Sequence, residues 1–291
     1  MARGPLLVVD TPSMLYRAFF ALPKTIKGEL PGVKGRKSVN ALLGAANLIL
    51  REVELHDPRA VALCFGPDAA TYRTELFDGY HAQRPEMPDL LREQWDVAEE
   101  FFSRFGWTVA DHDSLEADDL LGSLADAEVE AGGEALLMTG DRDMFQCARD
   151  GVTVLYVSTG GKRGGELIDA AEVKKRYGIP PELVPDFIAL RGDPSDGIPG
   201  AKGVGEKTAA DLLTRHGSLD EVLDNALREA TPRLRGALSE REQLLAYREI
   251  ARLQDAGVDR PPDQPTDWAG AAAAAEEFGM NALAKRLNEK A

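Results

Sequence analysis

The sequence predicts an α/β fold with a central parallel sheet, and two features of its pattern support this. Short apolar runs with the length of buried strands occur at residues 6–10, 60–65 and 134–141. Longer amphipathic patterns, typical of helices, occupy residues 38–54, 88–105 and 117–131. Because buried strands that alternate with helices form βαβ units, we expect a parallel sheet flanked by helices.

Two further segments carry more specific signals. Ser114, followed by acidic residues and then Leu120 and Leu121, predicts a helix start. Residues 152–169 read as a strand, a glycine-rich turn and a second strand, which predicts a hairpin at the sheet edge. Lys162 and Arg163 in that turn can serve simply to solubilise it.

Beyond about residue 170 the strand signals stop, and helical patterns broken by glycine and proline follow. We therefore expect an α/β domain over residues 1–172 and a helical region over residues 173–291.

Composition argues against a membrane-spanning protein. The chain has 291 residues, 44% of them hydrophobic, enough for one large domain or two modest ones. No apolar run approaches the roughly 18 residues needed to cross a bilayer, and the N-terminal segment turns acidic too soon for a signal peptide. We expect a cytoplasmic protein in which Cys64 and Cys147 are reduced core thiols.

The formal net charge of −15 argues at first against a nucleic-acid partner, because phosphate contacts need lysine and arginine. The distribution is uneven, however. Residues 24–37 carry five basic residues and one acid in a stretch that reads as an exposed loop. That loop is either an ordinary solvated surface or a local face for a polyanion.

Acidic residues gather where the predicted strands end. Asp10 ends the first strand, and Asp141 and Asp143 follow the third. In open parallel sheets the carboxyl ends of the strands form the edge where ligands bind. The acids that could surround one small volume there are Asp10, Glu116, Asp118, Asp119, Asp141, Asp143, Asp193 and Asp196.

Each of these acids also has a purely structural interpretation, as a helix cap or a turn former. Their concentration favours function, since like charges this close repel unless a cation lies between them. Carboxylate oxygens suit Mg²⁺ and Mn²⁺, and no set of cysteines and histidines competes. With more acids than one ion needs, the sequence predicts two ions about 4 Å apart, which suits phosphodiester hydrolysis.

A second motif, "IPGAKGVGEKTAADLL", lies in the helical region. Gly203 and Gly205 flank Val204 in a predicted tight turn before a helix, so that free backbone N–H groups can face a phosphate. Lys207 falls in the first turn, where the helix dipole would favour an acid. The motif therefore favours phosphate binding over an ordinary helix hairpin.

Five stretches resemble, in order and spacing, the bacterial 5′ nuclease family, which comprises the 5′–3′ exonuclease domain of DNA polymerase I and its stand-alone flap endonuclease relatives. They are "LLVVDTPSMLYRAFFALP", "TYRTELFDGYHAQRPEMPDLLREQ", "LEADDLLGSLA", "TGDRDMFQ" and "LRGDPSDGIPGAKGVGEKTAADLL". The resemblance covers nearly the whole chain. No polymerase region follows these motifs, so we expect a stand-alone nuclease or an excised domain.

The resemblance implies a PIN-like (resolvase-like) domain with a helical arch at about residues 70–110. It also implies a helix-hairpin-helix module at about residues 186–216 that grips duplex DNA and can hold a K⁺. Two Mg²⁺ or Mn²⁺ ions would serve cleavage near the 5′ end of flapped, nicked or gapped DNA. We expect a monomer with a functional link to DNA polymerase and ligase.

The same resemblance assigns individual roles. Asp10, Glu116 and Asp118 would serve the first ion, and Asp119, Asp141, Asp143 and Asp193 the second, directly or through water, with Asp196 in support. The family positions that meet the scissile phosphate or the displaced base correspond to Arg73, Tyr80, His81 and Arg84 of the arch. For Arg73 and Arg84 the structural alternative is a surface ion pair. Arg17, Gly203, Gly205, Lys207 and Thr208 would hold the DNA.

Three positions depart from the family pattern. Gly66 stands in place of an aspartate expected to bind the first ion, with Asp68 two residues on. His81 stands in place of the usual arch lysine, and Gly197 replaces a usual asparagine in the turn that carries Asp196.

These departures keep other functions open. A structure-specific DNA-binding protein with decayed catalysis would bind flaps without metal and cleave nothing. An RNase of the PIN class would share the acid-lined edge but prefer single-stranded RNA. A phosphatase with an aspartyl nucleophile fits poorly, because Asp10 lacks a second aspartate two positions on.

Overall fold

The computed structural model describes residues 4–158, 165–229 and 231–291. Its strands are β1 (Leu6–Asp10), β2 (Lys27–Gly28), β3 (Lys37–Ser38), β4 (Ala60–Cys64), β5 (Thr108–Ala110), β6 (Ala135–Thr139), β7 (Val152–Tyr156) and β8 (Glu166–Ile168). Six of them form one sheet in the order β5-β4-β1-β6-β7-β8. All neighbours in this sheet run parallel except β7 and β8.

Helices surround the sheet, and after β8 the named elements of the described residues are all helices. They are α1 (Thr11–Ala21), α2 (Asn40–His56), α3 (Thr71–Leu76), α4 (Asp89–Trp95), α5 (Ala98–Ser103), α6 (Ala117–Glu130), α7 (Ala170–Tyr177), α8 (Val184–Arg191), α9 (Glu206–His216), α10 (Leu219–Asp224), α11 (Pro232–Ala237), α12 (Arg241–Ala251), α13 (Trp268–Glu277) and α14 (Asn281–Asn288). The predicted α/β class with a mainly parallel sheet is confirmed.

The three predicted buried strands are confirmed as β1, β4 and β6, and the predicted hairpin as β7 and β8 at the sheet edge. The turn of that hairpin, with Lys162 and Arg163, lies outside the described residues. The loop expected at residues 24–37 contains the two-stranded ribbon of β2 and β3.

Two helix predictions need correction. The segment 88–105 forms two helices, α4 and α5, because Trp95 packs against Tyr16 and Phe65 while Phe101 packs against Phe278. Helix α6 starts at Ala117 and is capped by Glu116 instead of Ser114.

Alternation along β1 divides the core between the two faces of the sheet. Leu6 and Val8 pack into a cluster with α6, α8, α9 and α12, whereas Leu7 and Val9 pack into a cluster with α1, α2, α5, α13 and α14. All four side chains are fully buried. The C-terminal helices α13 and α14 therefore lie on the opposite face of the sheet from the preceding helices α8 to α12.

An extended segment, residues 252–267, connects α12 to α13 across the edge of the sheet. Buried Arg59 anchors it by donating to the Pro261 carbonyl at 2.9 Å and to the Asp263 carboxylate at 3.0 Å. The same guanidinium pairs with buried Glu128 of α6.

The segment expected to form an arch, residues 70–110, contains the three short helices α3, α4 and α5 and a loop at residues 77–88. Among the described residues, no helix is both long and apolar enough to cross a bilayer.

Candidate active site

Three of the predicted carboxylates lie where the central strands end. Asp10 closes β1 and caps α1, since its Oδ1 accepts a hydrogen bond from the Ser13 amide at 3.0 Å. Its Oδ2 accepts a second bond from Thr139 Oγ1 at 2.7 Å, which ties Asp10 to the end of β6. Asp141 follows β6, and Asp118 lies in the first turn of α6.

A cleft of about 2020 Å³ opens at this edge of the sheet. The predicted acids that line it are Asp10, Glu116, Asp118, Asp141, Asp143 and Asp193. The arginines that line it are Arg17, Arg51, Arg84, Arg92, Arg142 and Arg191. The cleft therefore offers carboxylates for metal ions and guanidinium groups for phosphate.

Burial and mutual repulsion raise the pKa values of the central carboxyl groups. Burial raises the pKa of Asp141 to about 7, with the charge of Asp196 as the next cause. Burial also raises the pKa values of Asp118 and Asp143 well above the ordinary range, helped by Asp10 and Asp141 respectively. The pKa of Asp10 is raised too, again mainly by burial. A cation placed among these groups would remove the repulsion and favour their ionised forms.

The donor set fits a hard divalent cation, because it consists of carboxylate oxygens. As the side chains stand, no three acidic, histidine or cysteine residues of the described chain could hold one ion together. An ion bound to this arrangement would be held by one or two of the carboxylates, with water completing its shell.

Arg73 binds two of the predicted acids in the protein interior. Its guanidinium lies 2.9 Å from Glu116 Oε1 and 3.1 Å from Asp119 Oδ1, and its Nε donates to the Ile250 carbonyl at 3.0 Å. Only 3% of Arg73 is exposed, and Asp119 is fully buried. Burial alone would lower the pKa of Arg73, but the combined effect of Glu116, Tyr80 and Asp119 outweighs burial and raises this pKa.

Asp119 is fully hydrogen-bonded. Its carboxylate accepts from Tyr72 Oη, Arg73 Nη2, and the backbone N–H groups of Glu116 and Gln254. The bond to the Glu116 amide is half of the capping box that starts α6.

This placement differs from what the resemblance implies for Arg73 and Asp119. Neither side chain lines the cleft, because each satisfies the other inside the protein. Arg73 borders a small second pocket that Asp118 and Asp141 also line, whereas Asp119 has no open oxygen toward the other acids.

Tyr80 and His81 connect the loop at residues 77–88 to the acids. Tyr80 is 5% exposed and donates from its hydroxyl to Glu116 Oε2 at 3.0 Å. Its ring stacks on His81 with centroids 4.0 Å apart. Since Tyr80 is buried and its ring stacks on His81, its expected contact with a displaced base is not available in this conformation.

His81 adopts a left-handed backbone conformation, with φ of 53°. Its Nε2 lies 3.2 Å from Asp196 Oδ1 and its Nδ1 lies 2.7 Å from the Asp68 carbonyl. His81 thus links Asp196 to the segment that carries Asp68 and Arg84.

Asp193 and Asp196 lie on a tight turn after α8. Two backbone bonds join Asp193 and Ile198, each of 2.8 Å, and Asp193 Oδ2 accepts from Arg191 at 2.9 Å. Gly197, with φ of 78°, makes room for the loop, because a Cβ there would lie 2.6 Å from the Gly79 carbonyl oxygen. The turn is therefore packed directly against the loop that carries His81.

Gly66 lies two residues after the end of β4 and leaves no room for the aspartate expected at this position. A Cβ at this position would lie 2.5 Å from the Leu115 carbonyl oxygen and 3.0 Å from the Ala117 nitrogen. Both neighbours are backbone atoms, so they cannot turn aside. Asp68 does not take the place of the missing acid, because its exposed carboxylate pairs with Arg84 at 2.8 Å.

The predicted glycine motif forms the connection between α8 and α9. The Val204 amide donates to the Ala201 carbonyl at 2.9 Å, and Gly203 has φ of 78°, as the third residue of a type II turn requires. Gly205 caps α9 without a side-chain acceptor for the free N–H groups that follow. Lys207 is exposed and Thr208 is half-buried in the first turn of α9.

Arg17 lies between the two strand ends that carry the acids. Its Nη2 donates to the Gly140 carbonyl at 2.9 Å, and its Nε to Ser13 Oγ at 3.3 Å. The guanidinium lines the cleft.

Sequence reasoning missed three side chains that shape this site. Thr139 orients Asp10, Tyr72 binds Asp119, and Arg191 binds Asp193. Arg191 and Thr139 each lie two residues from an acid already singled out, which is the signal that could have found them. Nothing near Tyr72 in the sequence points to Asp119, because only the tertiary structure brings the two side chains together.

Family models cover nearly the whole chain. The model described as 5′-3′ exonuclease, N-terminal resolvase-like domain, matches residues 5–178, and that described as 5′-3′ exonuclease, C-terminal SAM fold, matches residues 179–266. The 5′-3′ exonuclease of Mycobacterium tuberculosis strain H37Rv is 36% identical over 283 residues, covering 90% of this chain and 86% of the relative. DNA polymerase I of Mycobacterium bovis is 38% identical over 224 residues. That match covers 77% of this chain, which spans about a quarter (24%) of the polymerase.

Solved structures support the fold. The bacteriophage T5 D15 flap endonuclease, in a pseudo-enzyme-product complex with DNA and metal ions, matches with a TM-score of 0.69 at 16% identity over 98% of both chains. The catalytic core of Rad2 in complex with a DNA substrate matches with a TM-score of 0.61 at 16% identity, over 98% of this chain and 92% of that one. At such identity the likeness concerns the fold alone, and it confirms the expected PIN-like architecture. Together with the family models and the mycobacterial relatives, it confirms the resemblance drawn from the motifs: the chain belongs to the 5′–3′ exonuclease family.

Proposed function

We propose that this protein is a divalent-metal-dependent 5′–3′ exonuclease and flap endonuclease that hydrolyses phosphodiesters near the 5′ end of flapped, nicked or gapped DNA. The observation that carries the proposal is the group of Asp10, Asp118, Asp141 and Asp143, four buried or half-buried acids with raised pKa values in a cleft that arginines also line. Carboxylates crowded at the strand ends without a cation are costly, and a metal-binding role explains why they are together.

Two Mg²⁺ or Mn²⁺ ions would be held by these four acids, with Glu116 and Asp193 at the border of the cleft and Asp196 in support. When bound, the ions supply the positive charge that activates water and stabilises the leaving oxygen of the phosphodiester. We assign Asp119 a positioning role in place of a ligand role, because its oxygens are taken by Arg73, Tyr72 and the backbone.

The other residues of the site orient the substrate and the acids. Arg17 and Arg84 line the cleft and can contact the phosphate next to the scissile bond. Arg73 and Tyr80 hold Glu116 from the interior side. His81 fixes Asp196, in place of the direct contact with DNA expected at this position.

The hairpin around Gly203 and Gly205, with Lys207 and Thr208, would hold the duplex beside the cleft. Glu206, the first residue of α9, lines the cleft, which supports the two sites acting on one DNA molecule. The hairpin carbonyls would accommodate a K⁺, and replacing K⁺ by Na⁺ in a binding measurement tests this part.

The proposal includes a monomeric protein in the cytoplasm that works with a DNA polymerase and a ligase. Relatives named DNA polymerase I contain the matching segment within a longer chain, which supports the link to a polymerase. Since trimming a flap leaves a nick, a ligase reaction is the chemical step that would follow.

A specific observation favours a second candidate, a DNA-binding protein with weakened catalysis. The backbone packed against Gly66 excludes a side chain at the expected ligand position, and no three donors of the described residues are placed to share an ion. An RNase of the PIN class is less favoured, because the hairpin motif suits a duplex.

The test is cleavage of a 5′-labelled double-flap DNA in titrations of Mg²⁺ and of Mn²⁺. We expect Asp141→Asn to abolish cleavage while flap binding remains. Asp126→Asn serves as the control, since Asp126 is an exposed acid on α6 that pairs with Arg149. Unchanged turnover by Asp141→Asn would refute the assignment of the site. Tight flap binding without cleavage by the wild type at any metal concentration would establish the DNA-binding alternative, and preferential cleavage of single-stranded RNA would establish the RNase.

A further inference from the structure

Arg233, at the start of α11, lies flat against the glycine hairpin. A Cβ on Gly203 would be 2.5 Å from Nη2 of Arg233, and 3.0 Å from both its Cζ and its Nε. Three guanidinium atoms therefore lie close to the Gly203 backbone, and a Cβ at this position would displace the Arg233 side chain. The positive φ of Gly203 favours glycine here, and the absence of a Cβ lets the Arg233 guanidinium pack this closely.

Arg233 has no acidic partner. In residues 4–158, 165–229 and 231–291, no hydrogen bond or ion pair engages its guanidinium, and the side chain is exposed. Neighbouring arginines differ in this respect: Arg215 pairs with Glu229, and Arg241 pairs with Asp224. An arginine left unneutralised is notable in a chain with a net charge of −15.

The surroundings of Arg233 are open and electropositive. Lys202, in the turn, and Lys207, in the first turn of α9, are both exposed. A Cβ on Gly205 would meet no atom within 4 Å, so a ligand can approach the free N–H groups of α9. Glu206, the acid of this stretch, lies toward the cleft, where its charge acts on Arg142 and Tyr177.

The backbone that carries Arg233 is fixed. Thr231 caps α11 by accepting from the Leu234 amide at 3.2 Å, and Ala237 and Leu238 are buried in the core. The α11 backbone therefore places the Arg233 side chain beside the hairpin before any ligand arrives.

We propose that Arg233 is a DNA-binding residue that contacts a backbone phosphate of the duplex at the hairpin, beside Lys202 and Lys207. This inference rests on the proposed function, because it takes duplex DNA to be the partner of the hairpin. A guanidinium that contacts phosphate contributes a charge-assisted hydrogen bond and releases a counterion, so it strengthens binding without reading sequence.

The experiment measures binding of the full chain to a fluorescently labelled nicked duplex by anisotropy, in EDTA and across a series of KCl concentrations. For Arg233→Ala we expect a Kd raised about tenfold and a salt slope reduced by about 1, equally for nicked duplexes of different sequence. Arg233→Lys should keep the slope, because it keeps the charge. Arg228→Ala is the matched control, since Arg228 is an exposed arginine nearby whose guanidinium bonds Asn225.

The role of Arg233 would be overturned, and the proposed function left standing, if the wild type binds tightly and the Arg233→Ala and Arg228→Ala variants have equal affinity and equal salt slope. Failure of the wild type to bind nicked duplex would overturn both.

Discussion

Arg73 offers the sharpest test of how the acids are held. Arg73→Met keeps much of the side-chain volume and removes the charge. It leaves the buried carboxylates of Glu116 and Asp119 without the cation that now lies 2.9 Å and 3.1 Å away. It also leaves the Ile250 carbonyl without its donor.

The magnitude follows from burial. Removing one partner of a buried ion pair costs about 3–5 kcal/mol, because the remaining charge stays desolvated. The lost bond to the carbonyl adds about 1 kcal/mol. Protonation of Asp119, whose pKa burial already raises, limits the total. We expect a loss of about 4–5 kcal/mol at pH 7, a large part of the roughly 5–15 kcal/mol that a folded domain possesses.

The assay is urea denaturation followed by circular dichroism, with Arg84→Met as the matched control. Arg84 also pairs with an aspartate, Asp68, but the two side chains are 44% and 65% exposed, so its loss should cost about 0–1 kcal/mol. Adding Glu116→Gln and Asp119→Asn to Arg73→Met should recover much of the loss. An Arg73→Met protein within about 1 kcal/mol of Arg84→Met would refute the reasoning.

Two more predictions concern the cleft. Gly66→Asp should lower stability by about 1–3 kcal/mol and fail to increase flap cleavage, because its Cβ would lie 2.5 Å from the Leu115 carbonyl oxygen; a stable Gly66→Asp protein that cleaves faster would contradict this. In EDTA, the free energy of unfolding should fall as the pH rises from about 5 to 8. Carboxyl groups with raised pKa values, such as Asp141 at about 7, keep a proton in the folded state over this range, whereas the unfolded chain has already lost it. Carboxylates with lowered pKa values, such as Glu128 and Asp220, reach their full contribution to stability below this pH range, so they do not cause the fall. Mg²⁺ should reverse the fall, and urea midpoints equal at both pH values in EDTA would argue against a repulsive cluster.

The central strands β1, β4 and β6, the β7–β8 hairpin and most of the acid cluster could be predicted from the sequence, because they depend on local pattern. The run at residues 6–9 is apolar on both faces, which favours a buried strand, and Asp10 then falls at its carboxyl end. The same logic located Asp141 and Asp143 after β6. The Gly203 turn was predictable because a positive φ selects glycine.

The tertiary structure decided which of the acids face the cleft and which are hydrogen-bonded in the protein interior. Glu116 and Asp119 look alike in sequence to Asp118, yet Arg73 and Tyr72, from a helix more than forty residues earlier, bind Asp119 in the interior. The break of the segment 88–105 into two helices likewise depended on aromatic partners elsewhere in the chain.

Sequence by itself determined the central strands β1, β4 and β6, the strand-end acids and the glycine turn, because each follows from the spacing of neighbours along the chain. Only the tertiary structure decided that backbone fills the space at Gly66, that α13 and α14 return to the far face of the sheet, and that Arg233 covers Gly203. These depend on contacts between residues distant in sequence, whose energies no local pattern contains.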